Sequence, residues 1–459
     1  MRLGSGRWTW LGAAMWAATA APALAATPMT SFKPPWEQPG FNKLTPAQQR
    51  AQLEFTDRFD HRKALPTRRL RILESNPNAY AHPDALPPTL LLGDLLFHAP
   101  RLLGPHPALY GMSCNSCHTG GVTTPDVDVG SQCTDRPGNV DLRASFFTPL
   151  ADDGVYAPRN VPSLRGLRYT GPYDRDGAKA SMKEAISDVL ATEFQQRIRP
   201  DWLDALTLYI AQFDFVPNKQ IDSLGRLTAL ASPKAHAGEK LFNQARPQLG
   251  GASCASCHRA DSYFTDHRTH ALRHGNGEGA SVPEEGFKTP TLLDTAETAP
   301  YFFDGSAPTM AAAVKQIDAR HKLGLTADER GELTAYLEAI GAEDQGPAVP
   351  TLTGRFDDSL AYLSLLLKGP MKDDAQLWPL CLDTVRHDLR EAVRDAPAKT
   401  AAAVNKQVTA FERWVADAAH QVPSDANRAA LRGLRTQLRA AQARAPHERL
   451  ADAASAANP

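Results

Sequence analysis

Beyond its first two dozen residues the chain has no apolar run approaching the ~20 residues of a membrane-spanning helix, so nothing in its body predicts a bilayer crossing. It also lacks a basic surplus. Fifty Lys and Arg stand against 51 Asp and Glu, a formal net charge of −1, which argues against nucleic acid as a partner. That balance still allows a small charged docking patch. No segment shows the strict alternation of a half-buried strand. Cysteine is scarce, with six in 459 residues, and no histidine occurs between His118 and His236. Proline is not scarce, at 36 residues, which fits an ordered, loop-rich protein.

Four of the six cysteines are concentrated in two copies of C-x-x-C-H, Cys114-Asn-Ser-Cys117-His118 and Cys254-Ala-Ser-Cys257-His258. Two thiols and an adjacent imidazole on one short turn supply the two thioether links and the axial ligand that haem c requires. A zinc knuckle or a thioredoxin-like redox pair would use the cysteines without needing a histidine after the second one twice. Cys133 and Cys381 remain, and in an oxidising compartment they either pair or stand as isolated thiols. Their distance in sequence leaves both readings open.

The N-terminus reads as a secretory signal. Arg2 and Arg7 precede an apolar run from Trp8 to Ala21, and Ala23-Leu24-Ala25 fits an A-x-A cleavage site. The expectation is a cleaved signal peptide over 1–25, a mature start near Ala26 and a periplasmic location, which suits haem c.

An internal repeat organises the middle of the chain. The segment from Val161 to Gly177 aligns without gaps with that from Thr289 to Gly305, matching Pro162 with Pro290, Leu164 with Leu292, Pro172 with Pro300, Tyr173 with Tyr301 and Gly177 with Gly305. The match runs on through Met182 and Met310, and Tyr209 falls in step with Tyr336. Upstream of the motifs lie Gly93-Asp-Leu-Leu-Phe97 and Gly238-Glu-Lys-Leu-Phe242. Each motif therefore sits in the same unit of entry helix, C-x-x-C-H, loop, P-[ST]-L turn, P-Y-x-x-D-G turn and two helices, as a tandem duplication predicts. The fold class expected is mainly α: two tandem cytochrome c-like haem domains with an additional C-terminal helical extension.

The domain boundaries follow. Residues 26–88 form an N-terminal extension with a helix over 45–59, 89–232 the first haem domain, 233–345 the second, and 346–459 the helical extension. Within the domains, helices are expected from Ser181 to Leu190 and from Thr309 to Ile317, with a capping box opening another at Thr326 and Glu329. In the extension, helical spacing covers 358–367, 374–395, 400–420 and 427–444. A helical hairpin packed on the haem lobes accounts for these, with a partner-docking element as the other reading.

The repeated P-[ST]-L and P-Y-x-x-D-G elements with two C-x-x-C-H sites resemble the bacterial dihaem cytochrome c peroxidases and their MauG-type relatives, over about residues 90–341. The resemblance is most specific in Phe287-Lys-Thr-Pro-Thr-Leu292 and Thr298-Ala-Pro-Tyr-Phe-Phe-Asp-Gly-Ser306. It implies that the first haem reacts with peroxide and the second admits electrons, with His118 and His258 as proximal iron ligands. It also implies a calcium ion between them, held by the Asn160 side chain and the main-chain carbonyls of Thr298 and Pro300, an oxygen donor set that suits calcium.

Departures from the family pattern matter equally. The far-side ligand of the second haem, methionine or tyrosine in the family, falls at Ile317, which cannot bind iron. His321, one helical turn on, is the leading substitute and His270 the fallback; His321 reads equally as a surface helix histidine. The absence of a local histidine leaves the first haem open on its far side, unless Met112 or a residue from a flanking extension closes it. The family's inter-haem tryptophan falls at Arg175 and its glutamine over the peroxide site at Ala185. Its distal glutamate has no residue in register, Glu193 being two positions early. Glu193 and Arg175 are the candidate catalytic residues, for moving a proton and stabilising the leaving hydroxide, though either reads also as an ion-pairing residue.

These observations imply an oxidoreductase of the cytochrome c peroxidase type. It would carry two covalently bound haem c groups and calcium, and reduce hydrogen peroxide with electrons from a cytochrome c or cupredoxin. One alternative is a MauG-type oxidase that modifies a protein or small organic substrate through a high-valent iron state. Another is a dihaem electron-transfer cytochrome.

Overall fold

The computed structural model describes residues 87–123, 135–145, 147, 152, 154–216, 218–270, 286–342 and 352–445. All of them lie within one compact unit, Lys33–Pro459. The expected signal segment, the helix over 45–59, Cys133 and the boundary near 345 fall outside the described residues.

The described chain is mainly helical, and its helices start where capping chemistry permits. α1 (Pro88–Phe97) opens with proline in its first turn, where the missing N–H costs nothing. A short α2 (Pro105–Leu109) leads to α3 (Cys114–Cys117), the first motif. α4 (Met182–Thr192) is capped by Ser181, whose side chain accepts from the Glu184 N–H, and α5 (Pro200–Ile210) follows. α6 (Pro233–Asn243), α7 (Cys254–Cys257), α8 (Met310–His321) and α9 (Ala327–Ile340) repeat this order. Thr309 caps α8, and Thr326 with Glu329 forms the expected capping box of α9. Among the described residues the strands are four two-residue pieces. β1 (Asn139–Val140) pairs antiparallel with β2 (Arg159–Asn160), and β3 (Thr269–His270) with β4 (Phe287–Lys288).

The duplicated elements pack alike. α1 crosses α5 and α6 crosses α9. The two P-Y-x-x-D-G turns close in the same way, with Tyr173 bridged to Lys179 and Tyr301 to Ala307. The second half has its own core, with Phe242, Phe264, Val314, Leu323, Leu333, Tyr336 and Ile340 buried together.

The C-terminal region forms four helices, α10 (Leu352–Leu367), α11 (Leu377–Asp395), α12 (Ala398–Ala418) and α13 (Asp425–Gln442). They pack on one another, and α10 also packs on α1. Phe356, Tyr362, Trp378 and Phe411 are fully buried in one core continuous with that of the first half. Each such side chain contributes roughly 2 kcal/mol through burial. Arg199 pairs with Asp374 at 2.8 Å, and Arg101 pairs with Asp383. The expected packing of this region therefore falls on the first half of the chain. Cys381 is buried there, its thiol donating to the Tyr362 carbonyl.

Candidate haem-binding turns and the junction between them

Each C-x-x-C-H lies on a single capped turn. The Ser113 N–H donates to Ser116 Oγ at 3.0 Å, and the Ser253 N–H to Ser256 Oγ at the same distance, closing a capping box on both. The histidine N–H then bonds the first cysteine carbonyl at 2.9 Å in each motif. Both sulfurs and the imidazole are thereby held on one turn, with the serine caps satisfying donors a four-residue helix would leave bare.

The histidine rings are oriented from behind. His258 Nδ1 meets the Phe264 carbonyl at 3.0 Å, with the Pro290 carbonyl contributing. His118 Nδ1 is buried outside ordinary hydrogen-bond geometry, with the Pro162 carbonyl acting on it electrostatically. Pro162 and Pro290 are the prolines of the repeated P-[ST]-L turns, so the repeat places a main-chain oxygen behind each ring. A carbonyl behind Nδ1 sets the tautomer and leaves Nε2 as the metal donor. Burial pushes His118 down to about 4, and burial likewise lowers His258. Both imidazoles are therefore kept neutral, the form that binds iron. Burial raises Cys114 to about 12 and Cys117 to about 11, and raises Cys254 and Cys257 as well. Thiols held protonated by burial are unlike the depressed thiols of redox C-x-x-C pairs. The donor set fits covalently attached haem.

Cys257, Asp266 and His270 have ligand atoms within 4.8 Å of one another, and His270 Nε2 bonds Asp266 Oδ2 at 2.7 Å. The Cys257 sulfur belongs to the haem motif, which removes it as a thiolate for a separate metal. Asp266 and His270 both act electrostatically on His258, so His270 belongs to the surroundings of the proximal histidine. Ile317 packs against the core of the second half. His321 is half-buried on the last turn of α8, its pKa lowered by burial and then by Arg320.

The two halves meet through dense polar contacts. The Asn160 N–H donates to the Phe303 carbonyl at 2.8 Å, and Asn160 Nδ2 to the carbonyls of Pro300 at 2.6 Å and Phe302 at 3.0 Å. Asn160 Oδ1 is buried with no partner. An amide side chain can turn over, exchanging oxygen and nitrogen. Turned, Asn160 would present its oxygen beside those of Pro300 and Phe302, an oxygen-only cluster of the kind calcium takes. Thr298 Oγ1 is engaged with the Thr295 carbonyl at 3.1 Å. The residues present therefore fit a cation through Asn160 and the Pro300 turn.

Arg175 spans the same junction. Its guanidinium donates to the Asn160 carbonyl at 2.8 Å and the Phe303 carbonyl at 3.1 Å. Burial and then the Arg159 charge lower it to about 10, with Glu193 opposing. Glu193 accepts from Arg143 Nε at 3.1 Å. The structure thus brings Glu193 and Arg175 within electrostatic reach of each other, with Arg143 as a third member. Met112 is buried in the core of the first half.

Other residues of the junction carry no sequence motif. Arg165 and Asp294 form a buried ion pair at 3.6 Å, and Asp294 also accepts the Val216 N–H at 2.9 Å. His267 Nδ1 meets the Gly171 carbonyl at 2.7 Å, and Lys288 Nζ donates to the Thr170 carbonyl at 2.6 Å. Beside them Tyr169 and Tyr263 stack with centroids 4.4 Å apart. Only the concentration of aromatics after each P-[ST]-L turn and C-x-x-C-H motif hints at this in the sequence.

Two capped C-x-x-C-H turns on a helical scaffold have the donor set of a c-type haem protein. Residues 232–342 match the family model described as di-haem cytochrome c peroxidase. The cytochrome c551 peroxidase of Nitrosomonas europaea is 26% identical over 299 residues, covering 58% of this chain and 84% of that protein. The methylamine utilization protein MauG of Methylorubrum extorquens is 32% identical over 124 residues, 22% of this chain and 35% of that one. A solved MauG-like protein associated with microbial copper homeostasis aligns at 19% identity, 55% of this chain, 88% of that chain and a TM-score of 0.38. The chain resembles dihaem cytochrome c peroxidases and MauG, and the family-model match lies in residues 232–342. Among the described residues no helix is long and apolar enough to cross a membrane.

Proposed function

We propose that the chain is an exported, periplasmic dihaem c-type peroxidase that reduces hydrogen peroxide with electrons from a small redox protein. The observation that carries this reading is the pair of capped C-x-x-C-H turns, each with a main-chain carbonyl behind its histidine and both halves tied through Arg175 and Asn160. Peroxide, two electrons and two protons give two waters. Haem, when bound, supplies the iron at which the O–O bond breaks and the store of electrons.

The chain's own residues do the rest. His118 and His258 present neutral Nε2 donors. Glu193, positioned by Arg143, is the group that moves protons at the first site, and Arg175 adds a fixed positive charge near it. Asn160, Thr298 and Pro300 hold the calcium that locks the junction. His321 is the side chain assigned to the far side of the second haem, with His270 engaged by Asp266 instead. The MauG-type alternative, oxidation of a protein or organic substrate, rests on the altered positions Ile317, Arg175 and Ala185.

The test is electron paramagnetic resonance of the oxidised, haem-loaded protein with peroxide kinetics. A high-spin signal that reacts with peroxide and turns over with reduced cytochrome c supports the peroxidase. A stable oxidised state indifferent to cytochrome c moves the assignment to the oxidase. Two low-spin, unreactive haems leave only an electron carrier.

A further inference from the structure

We propose that the stacked rings of Tyr169 and Tyr263 are the electron crossing between the two halves of the chain, with Asp214 taking the Tyr169 proton. The proposal rests on the dihaem reading above. Tyr169 belongs to the first half and Tyr263 to the second, and their rings lie 4.4 Å apart between centroids at an interplanar angle of 19°. Phe215 completes the cluster, 5.9 Å from Tyr169 and 6.0 Å from Tyr263, tilted from them by 16° and 23°. Three near-parallel rings from two halves make a continuous π contact across the junction.

The other contacts named at the junction are of the wrong chemistry. Arg175, Lys288, Asn160 and the Arg165–Asp294 pair are cations, amides or carboxylates bonded to backbone. None gives up an electron readily. A phenol does, provided its proton has an acceptor. The Tyr169 hydroxyl lies 3.2 Å from Asp214 Oδ2, and Arg168 contacts both Asp214 and, at 2.6 Å, the Tyr169 oxygen. Arg168 holds the carboxylate in place and stacks its guanidinium 4.8 Å from the Tyr169 ring centre.

Each tyrosine is also tied towards its own histidine. Tyr263 immediately precedes Phe264, whose carbonyl bonds His258 Nδ1, and the Tyr263 carbonyl accepts from Thr291 of the P-T-L turn at 2.7 Å. Tyr169 follows the P-S-L turn that reaches His118 and packs on the core that Cys114 and Cys117 also contact. The Lys288–Thr170 and His267–Gly171 bonds clamp the two residues after Tyr169 to the second half, fixing the stack.

The step balances. With peroxide as oxidant, the His118 site becomes electron-poor and draws one electron from Tyr169, whose O–H proton passes to Asp214. One electron from the His258 site then reaches Tyr169 through the Tyr263 ring, and Asp214 returns the proton. The net change is one electron moved from the second site to the first, and the donor protein later replaces it.

The test uses the full haem-loaded chain. A ruthenium(III) oxidant, generated by light and a sacrificial quencher, withdraws an electron from the His118 haem, and the electron's redistribution from the His258 haem is followed by absorbance without peroxide. Tyr169→Phe and Tyr263→Leu should slow that redistribution by about tenfold or more, with both haem potentials unchanged. Asp214→Asn should slow it and abolish a solvent deuterium effect present in the parent. Freeze-quenched samples treated with peroxide should show a tyrosyl radical signal that Tyr169→Phe removes. If Tyr263→Leu loads fewer than two haems, Tyr169→Phe, which deletes one hydroxyl, decides alone. Redistribution at the parent rate in Tyr169→Phe overturns the proposal. Tyrosine-dependent redistribution in a protein inert to peroxide would sustain it while removing the peroxidase reading.

Discussion

Gly238 of α6 lies directly against Tyr336 of α9: a Cβ on the glycine would stand 2.8 Å from the tyrosine Cβ and 2.0 Å from the Glu332 carbonyl. The first half repeats this contact, where a Cβ on Gly93 would stand 2.7 Å from that of Tyr209 and 2.1 Å from the Ala205 carbonyl. Both obstacles are backbone or rigid stem, so neither can swing away. Gly238→Ala should force the helices apart and cost about 1–3 kcal/mol, read as a lowered denaturant midpoint. Gly93→Ala should do the same, whereas alanine at Gly433, which has nothing within 4 Å, should not destabilise in this way.

Protonation of His118 opposes folding. Burial holds its folded pKa at about 4, below the usual imidazole value of 6.5. Between those values the unfolded chain binds the extra proton, so stability rises with pH there. The stabilisation is complete above about 6.5 and is lost as pH falls towards about 4. In protein lacking the first haem through Cys114→Ala with Cys117→Ala, the urea midpoint should fall over that window. A further His118→Gln change should flatten the dependence.

The ion pair of Arg165 and Asp294 is almost wholly enclosed. Asp294→Ala would remove the carboxylate that faces the Arg165 guanidinium and also release the Val216 N–H. Removing one partner of such a pair costs about 3–5 kcal/mol. Differential scanning calorimetry of the haem-loaded protein should show a large drop in transition temperature. Loss of the exposed Arg226–Asp222 pair should move it by no more than about 1 kcal/mol equivalent.

The calcium proposed at Asn160 makes a separate prediction. At calcium about a hundredfold above its Kd, a bound ion stabilises the fold by roughly 2.7 kcal/mol. Chelation should therefore lower the melting temperature of the parent protein and leave that of Asn160→Ala nearly unchanged. Equal sensitivity of the two to chelation would remove Asn160 from the site.

Much of the helical fold was legible because its signals are local. Ser181, Thr309 and the Thr326–Glu329 box cap helices where their spacing placed them. The four C-terminal helices appear within a few residues of the apolar periodicity, except that α10 begins earlier, at Leu352, than the pattern from 358 suggested. The haem turns were legible for the same reason, since their cysteines and histidines are neighbours in the chain. The partners across the junction were not. Asn160 meets Pro300 across 140 residues of sequence, and no periodicity encodes that meeting. The attachment of Glu193 to Arg143, and of the Tyr169 hydroxyl to Asp214, likewise carries no spacing rule.

The amino-acid order alone determined two capped C-x-x-C-H turns, a duplicated unit around each, and a helical C-terminal region, because capping, motif spacing and helical periodicity act within a few residues. Tertiary structure alone decided which half the C-terminal helices cover, which carbonyl stands behind each proximal histidine and which rings touch across the junction. Those outcomes depend on how buried surfaces close-pack and satisfy polar groups distant in the chain, a condition set by the whole fold and by no single segment.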